Sequence, residues 1–363
     1  MNRREFLQKG GVAAAAAGTV VAAPTASAAA KYRWKMVTTW PPKFPVFQTG
    51  AESFARRCHE MSDGRLDIKV FAGGELVPPM GVFDAVAGGM VALGHSSAYY
   101  WAGKLPAAQF FSAVPFGFTG QQMNAWLYHG GGLELWRELY APYNLIPFPV
   151  TNTGVQMGGW FNREINSLKD LAGLKMRIPG LGGKVMGKAG VNVVLLPGAE
   201  LYTALERGVI DALEWVGPYH DMKLGFHRAA KYYYYPGWHE PGTVIELIVN
   251  RAAWATLPDD LKAIVEAAAA QTNIESLGEV DALNAAALRE LTDKHKVKLR
   301  RFPDEVIAKL RELTRQTLDE LAASDPKAKK VYDAFKNFAA TVEPWTEQSE
   351  TAFMRAKSSG ATE

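Results

Sequence analysis

Short apolar runs alternate with longer amphipathic stretches along most of this chain, and that alternation constrains the fold more than any other feature. Residues 32–40 read as a first strand, stopped by Pro41 and Pro42. Residues 46–62 carry apolar side chains at helical spacing. Leu66, Ile68 and Val70 alternate with Asp67 and Lys69, the signature of a half-buried strand. Residues 80–87 read as a short helix and residues 91–94 as a short buried strand. Strand–helix–strand order demands crossover connections, so an α/β architecture is predicted. The pattern recurs over residues 152–240. There a helical turn at 168–172 precedes a strand at 175–178, and a helix begins at Gly183. A strand at 191–196 is stopped by Pro197 and Gly198, a helix follows at 199–208, and residues 209–215 lead into another strand. Residues 245–250 return as a strand.

The remainder is helical and charged. Pro258, Asp259 and Asp260 form a helix start. Leu261, Ile264, Val265, Ile274, Leu277, Val280, Leu283 and Leu288 sustain a stripe towards His295. The predicted helix has about 40 residues and a length of ~55 Å. A second helix is predicted over residues 303–324 and a third over 327–357, with Pro344 as a kink or break. Phe335, Phe338, Trp345 and Phe353 give this tail an apolar face. It either folds back on the α/β units or packs on another copy.

The first residues read as an address. Arg3 and Arg4 precede Glu5, Phe6 and Leu7, an apolar Gly/Ala/Val run follows over residues 10–23, and small residues end the segment near Ala28. This resembles a twin-arginine export signal spanning residues 1–28. Its removal takes the balance from 40 basic and 37 acidic residues to 37 and 36, a net charge of +1. Such balance leaves no electrostatic footprint for nucleic acid. The single cysteine, Cys58, excludes an internal disulfide framework, a cysteine zinc site and a cysteine-held iron–sulfur cluster. No histidine pair has zinc-helix spacing, and nucleotide fingerprints and serine-nucleophile motifs are absent from the sequence.

One pair of segments is more specific. Asp170, Leu171, Gly173, Leu174, Lys175 and Arg177 match the pattern D-L-x-G-L-K-x-R. Glu200, Tyr202, Ala204, Leu205, Gly208, Ile210 and Asp211 match E-x-Y-x-A-L-x-x-G-x-I-D. The pair resembles the solute receptors of TRAP (tripartite ATP-independent periplasmic) transporters. The resemblance extends through residues 73–76 and 114–118 to the long helix. It implies a two-lobed periplasmic binding protein fold with a spine helix and a helical tail. Lobe I then comprises residues 29–151 plus 245–300 and lobe II residues 152–244, with crossing strands near 150–153 and 241–250. Residues 301–363 form C-terminal helices serving as a dimerisation tail.

Arg177 sits between apolar neighbours in a short strand, and a guanidinium fork matches a carboxylate with two parallel hydrogen bonds. From the residues alone, a structural arginine paired with a nearby Asp or Glu is the favoured reading. The resemblance makes Arg177 the clamp on a substrate carboxylate. Gln156, Glu214 followed by Trp215, and Glu240 resemble the branch that binds 2-oxo or 2-hydroxy monocarboxylates through a metal ion. That resemblance implies Gln156, Glu214, the Trp215 carbonyl and Glu240 as ligands. Oxygen donors suit a hard cation, and the resemblance implies Na+, with Ca2+ as the alternative. Trp40, Phe44, Tyr99, Tyr100 and Trp101 are candidates for the apolar wall, Tyr100 and Trp101 foremost. Asn152 is a candidate hydrogen-bond partner of substrate. The expected function is capture of a small 2-oxo acid such as pyruvate or 2-oxobutyrate and delivery to TRAP membrane permease subunits, without catalysis. The alternatives are a calcium-dependent lactate receptor and a twin-arginine-exported enzyme acting on a small acid.

Overall fold

A computed structural model describes residues 31–359. The expected export signal lies outside the described residues. Two sheets organise the chain, and each grows from the alternation of apolar runs and helices.

The first sheet contains β1 (Tyr32–Thr38), β2 (Leu66–Phe71), β3 (Leu93–Ser96), β4 (Leu145–Asn152) and, much later in the chain, β10 (Val244–Asn250). Its order is β2-β1-β3-β10-β4. β1 runs parallel to β2 and β3, whereas β10 is antiparallel to β3 and β4. All seven residues of β10 are buried, because this strand is central and helices cover both faces.

The second sheet contains β5 (Gly159–Phe161), β6 (Lys175–Arg177), β7 (Asn192–Val194), β8 (Ala212–Leu213), β9 (Tyr232–Tyr235) and β11 (Lys298–Arg301). Its order is β11-β9-β5-β8-β6-β7. The three short strands β6, β7 and β8 lie parallel, so their carboxyl ends point to one edge of the lobe. β4 leads into this lobe and β10 leaves it, giving the expected pair of crossings.

Three expectations are corrected. Lobe I does not extend to residue 300, since β11 pairs with β9 in the second sheet. Its lysine and arginines had concealed a strand, but charge on an edge strand is a common guard against pairing with another chain. The spine helix is Asp259–Arg289, shorter than about 40 residues, and ends in a π-helical turn at Glu290–Lys294. Ile274 falls outside its buried stripe and is 67% exposed. The helix changes cores along its length. Leu261 and Val265 pack with Phe148 and Leu247 of the first lobe, and Val280 packs with Trp160 of the second.

The third correction concerns the tail. The described part of the tail, residues 301–359, packs on both lobes rather than standing apart from them. The helix Asp304–Ser324 buries Val306 and Leu310 against Phe161 and Ile165, then Leu318 and Leu321 against the first lobe. The helix Pro326–Thr346 folds back, stacking Phe335 on Phe118 at 4.0 Å between ring centroids. Pro344 lies inside that helix, and a π-helical turn at Glu347–Thr351 follows before the helix Ala352–Ser359. Among the described residues no helix is long and apolar enough to cross a membrane.

Candidate ligand and cation site

The carboxyl ends of β6 and β8 bring the two central charges together. Arg177 is opposite Leu213 in the register, which sets Glu214 one residue beyond the pairing. The Glu214 N–H donates to the Arg177 carbonyl at 3.1 Å, and Arg177 Nη1 returns a bond to the Glu214 carbonyl at 2.8 Å. The same Nη1 donates to Glu214 Oε1 at 2.6 Å. Both side chains are 1% exposed, so each charge must be compensated inside the protein, and Glu214 is the carboxylate that pairs with Arg177. Arg177 Nε donates to the Leu196 carbonyl at 3.3 Å, and Nη2 reaches Tyr100 Oη at 3.4 Å. The guanidinium lies 5.0 Å from the Trp215 ring centroid. Burial is the largest influence and opposes the Arg177 charge, but Glu214, Tyr100, Tyr99 and Glu240 together outweigh it and hold its pKa above the ordinary guanidinium value. Open α/β sheets bind ligands at this edge, beyond the carboxyl ends of parallel strands.

The crossings supply the remaining groups. The Gln156 N–H donates to the Glu240 carbonyl at 3.1 Å, joining the segment after β4 to the one before β10. Gln156 Nε2 donates to Glu240 Oε2 at 2.8 Å, and Thr243 Oγ1 donates to the same oxygen at 2.6 Å. Gln156 Oε1 is buried without a hydrogen-bond partner. His239 Nε2 lies 2.9 Å from Glu214 Oε2. Glu214, His239 and Glu240 each bring a potential ligand atom within 4.8 Å of the others. Burial and then the Glu214 charge push the Glu240 pKa up to about 7. Burial most strongly disfavours the imidazolium of His239, but the Glu214 hydrogen bond and the Glu214 and Glu240 charges together reverse that and leave its pKa raised. The residues present fit a hard cation. Three of the four side chains in the cluster offer oxygen, and the orphaned Gln156 oxygen is an acceptor awaiting a positive partner.

The structure therefore gathers Arg177, Gln156, Glu214, Trp215, Glu240 and Tyr100. It does not gather Trp101 or Asn152. The Trp101 indole donates to Glu246 Oε1 at 2.6 Å inside the first lobe, because neighbours in the tight turn Ala98–Trp101 point different ways. Asn152 Oδ1 accepts from the Gly154 N–H at 2.8 Å and secures the turn out of β4. His239 is the residue that spacing rules missed. Its partner Glu214 is 25 positions away, and only its adjacency to Glu240 could have signalled it. Thr153 and Thr243 were missed as well, and both hold Gln156 at 3.2 Å.

Comparison with known proteins identifies the family. Residues 36–325 match the DctP family, bacterial extracellular solute-binding protein family 7. The chain belongs to this family. A monocarboxylate 2-oxoacid-binding periplasmic protein of Nostoc sp. is 45% identical over 358 residues, covering 97% of this chain and 98% of that protein. A TRAP periplasmic solute-binding protein from Pseudoalteromonas atlantica, solved with bound sodium and pyruvate, is 43% identical with a TM-score of 0.87, covering 90% of this chain and 99% of that one. A TRAP solute-binding protein from Colwellia psychrerythraea, solved with bound calcium and pyruvate, is 42% identical with a TM-score of 0.87 and the same coverage. These relatives are receptors, and this DctP member is a solute-binding protein rather than an enzyme.

Proposed function

We propose that this chain is the periplasmic receptor of a TRAP transporter for a small 2-oxo monocarboxylate, pyruvate or 2-oxobutyrate. Arg177 clamps the substrate carboxylate. A cation held by Gln156, Glu214, the Trp215 carbonyl and Glu240 accepts one carboxylate oxygen and the 2-oxygen. Tyr100 closes the site beside the guanidinium. The observation that carries the reading is a buried guanidinium beside a buried oxygen cluster with an unpartnered amide oxygen. A monocarboxylate satisfies the first, and a cation satisfies the second.

Charge counting bears on the cation. With both glutamates in the shell, substrate and Arg177 included, a divalent ion gives neutrality. With Glu214 alone, sodium does. The Pseudoalteromonas protein holds sodium and the Colwellia protein calcium, each with pyruvate. We assign sodium as the preferred ion of this chain. The export signal delivers the receptor to the periplasm in folded form, and a membrane permease distinguishes its closed liganded shape from the open one.

Thermal denaturation with pyruvate, 2-oxobutyrate, lactate and succinate, each with sodium, calcium or chelator, tests the reading. Pyruvate and 2-oxobutyrate with sodium should raise Tm most, and chelator should not abolish the sodium effect. Stabilisation by lactate with calcium alone would favour a 2-hydroxy acid receptor. Stabilisation by succinate alone would defeat the metal-chelation reading.

A further inference from the structure

The segment between β1 and the helix Gln48–Met61 is anchored to the first lobe by the Trp40 indole, which donates to His95 Nδ1 at 2.6 Å, but its other aromatic rings reach across to the second lobe. Trp40, Phe44, Val46 and Phe47 join a core made mostly of second-lobe residues, including Trp160, Leu213, Trp215 and Tyr233, with Ile245 of β10 and Val280 of the spine helix. Phe44 meets Trp215 edge-on at 5.9 Å and His220 at 5.4 Å. Phe47 lies 5.1 Å from His220, and Trp40 lies 6.4 Å from Trp215. All five rings are at most 5% exposed. This is an aromatic plug from one lobe seated in the other, beside the site.

The backbone of the plug is strained. Lys43 has φ 59° and Val46 has φ 62°, both in the left-handed region. That conformation is unusual for lysine and an outlier for a β-branched residue, and it persists only where surrounding contacts enforce it. Hydrogen bonds within the segment hold Val46 in this conformation. The Phe47 N–H donates to the Pro45 carbonyl at 2.7 Å, and the Val46 N–H donates to Thr49 Oγ1 at 2.8 Å.

The plug bears on the residue that touches the clamp. The Trp215 ring has Arg177 on it, and it lies so close to Gly198 that a β-carbon there would come within 2.5 Å. Gly198 and the plug leave that indole one place to sit.

We propose that residues 40–47 are a closure latch. Phe44 and Phe47 seat on Trp215 and His220 only when the lobes meet, and by fixing Trp215 they position Arg177 for the ligand. The left-handed backbone offsets part of the seating free energy. Closed and open states therefore stay close enough for a small ligand to tip the balance. Phe44 and Phe47 are positioning residues, because they act through Trp215. The inference rests on the receptor reading above.

Three variants test it, two with opposite signs and one conservative control, read by small-angle scattering of the mature chain and by calorimetric titration with pyruvate in sodium. Phe44→Ala removes the seat and should weaken pyruvate binding by about tenfold or more, with ligand-free scattering shifted to a more extended profile. Phe44→Tyr keeps the ring and should bind within about twofold of the original chain. Lys43→Gly relieves strain at an exposed position. It should shift the ligand-free profile towards the closed one and tighten binding. A folded Phe44→Ala chain with unchanged affinity, or a Lys43→Gly chain with unchanged ligand-free scattering, would overturn the latch. If the original chain binds no pyruvate, the receptor reading fails, while the ligand-free profiles still decide the latch.

Discussion

Arg177 and Glu214 bury opposite charges 2.6 Å apart with 1% exposure each. Removing Arg177 leaves the buried Glu214 with only His239 beside it, 2.9 Å away. Arg177→Ala should therefore abolish pyruvate binding and also destabilise the fold by about 3–5 kcal/mol. Arg177→Lys separates the two effects. It restores charge but not the planar fork, so stability should recover partly while affinity stays low. Urea denaturation and calorimetric titration of both variants check this, and near-original affinity in either would sink the clamp assignment. Residue type made this pair legible beforehand, because a lone arginine among apolar neighbours needs a counter-charge or a ligand. Trp101 was misjudged for a related reason. Its neighbour Tyr100 reaches Arg177, but its own indole bonds Glu246, and side-chain direction in a tight turn does not follow from adjacency.

At the scale of elements, β10 carries a buried acid that the binding site does not use. Glu246 accepts from the Trp101 indole at 2.6 Å and from Tyr140 Oη at 2.8 Å. Burial pushes its pKa from 4.5 up to about 8 despite both donors. Between those values the unfolded chain releases a proton that the folded chain retains. This group's contribution to stability is thus fully present below about 4.5 and lost as pH rises through about 8. The slope is up to about 1.4 kcal/mol per pH unit. Glu246→Gln should remove that slope while keeping an acceptor for Trp101. Urea denaturation at pH 5, 6.5 and 8 should show the variant gaining on the original chain as pH rises. A constant difference would refute the assignment. The apolar run of β10 was legible as a strand, but β9 and β11 were not. Tyr232–Tyr235 and Lys298–Arg301 become strands by pairing with each other, and no local pattern encodes a partner some sixty residues away.

At the scale of the molecule, the tail divides its apolar face between two uses. Phe335 is buried on its own first lobe, whereas Trp345, Phe353 and Met354 are 61–69% exposed. Three large apolar side chains on one terminal segment favour burial against a second copy. We therefore propose a homodimer through the C-terminal helices. Light scattering at micromolar concentration should give twice the chain mass. The double variant Trp345→Ala, Phe353→Ala should give a monomer that still binds pyruvate. A monomeric original chain would exclude the dimer. The sequence alone determined the α/β alternation, the helical tail and the presence of a forked cation and oxygen donors, because periodicity and residue chemistry act over a few neighbouring positions. Only the tertiary structure decided that β11 joins the second sheet, that His239 meets Glu214, and that Phe44 crosses to Trp215. Those pairings depend on which distant segments can close on one another with their polar groups satisfied, and that is settled by the packing of the whole chain.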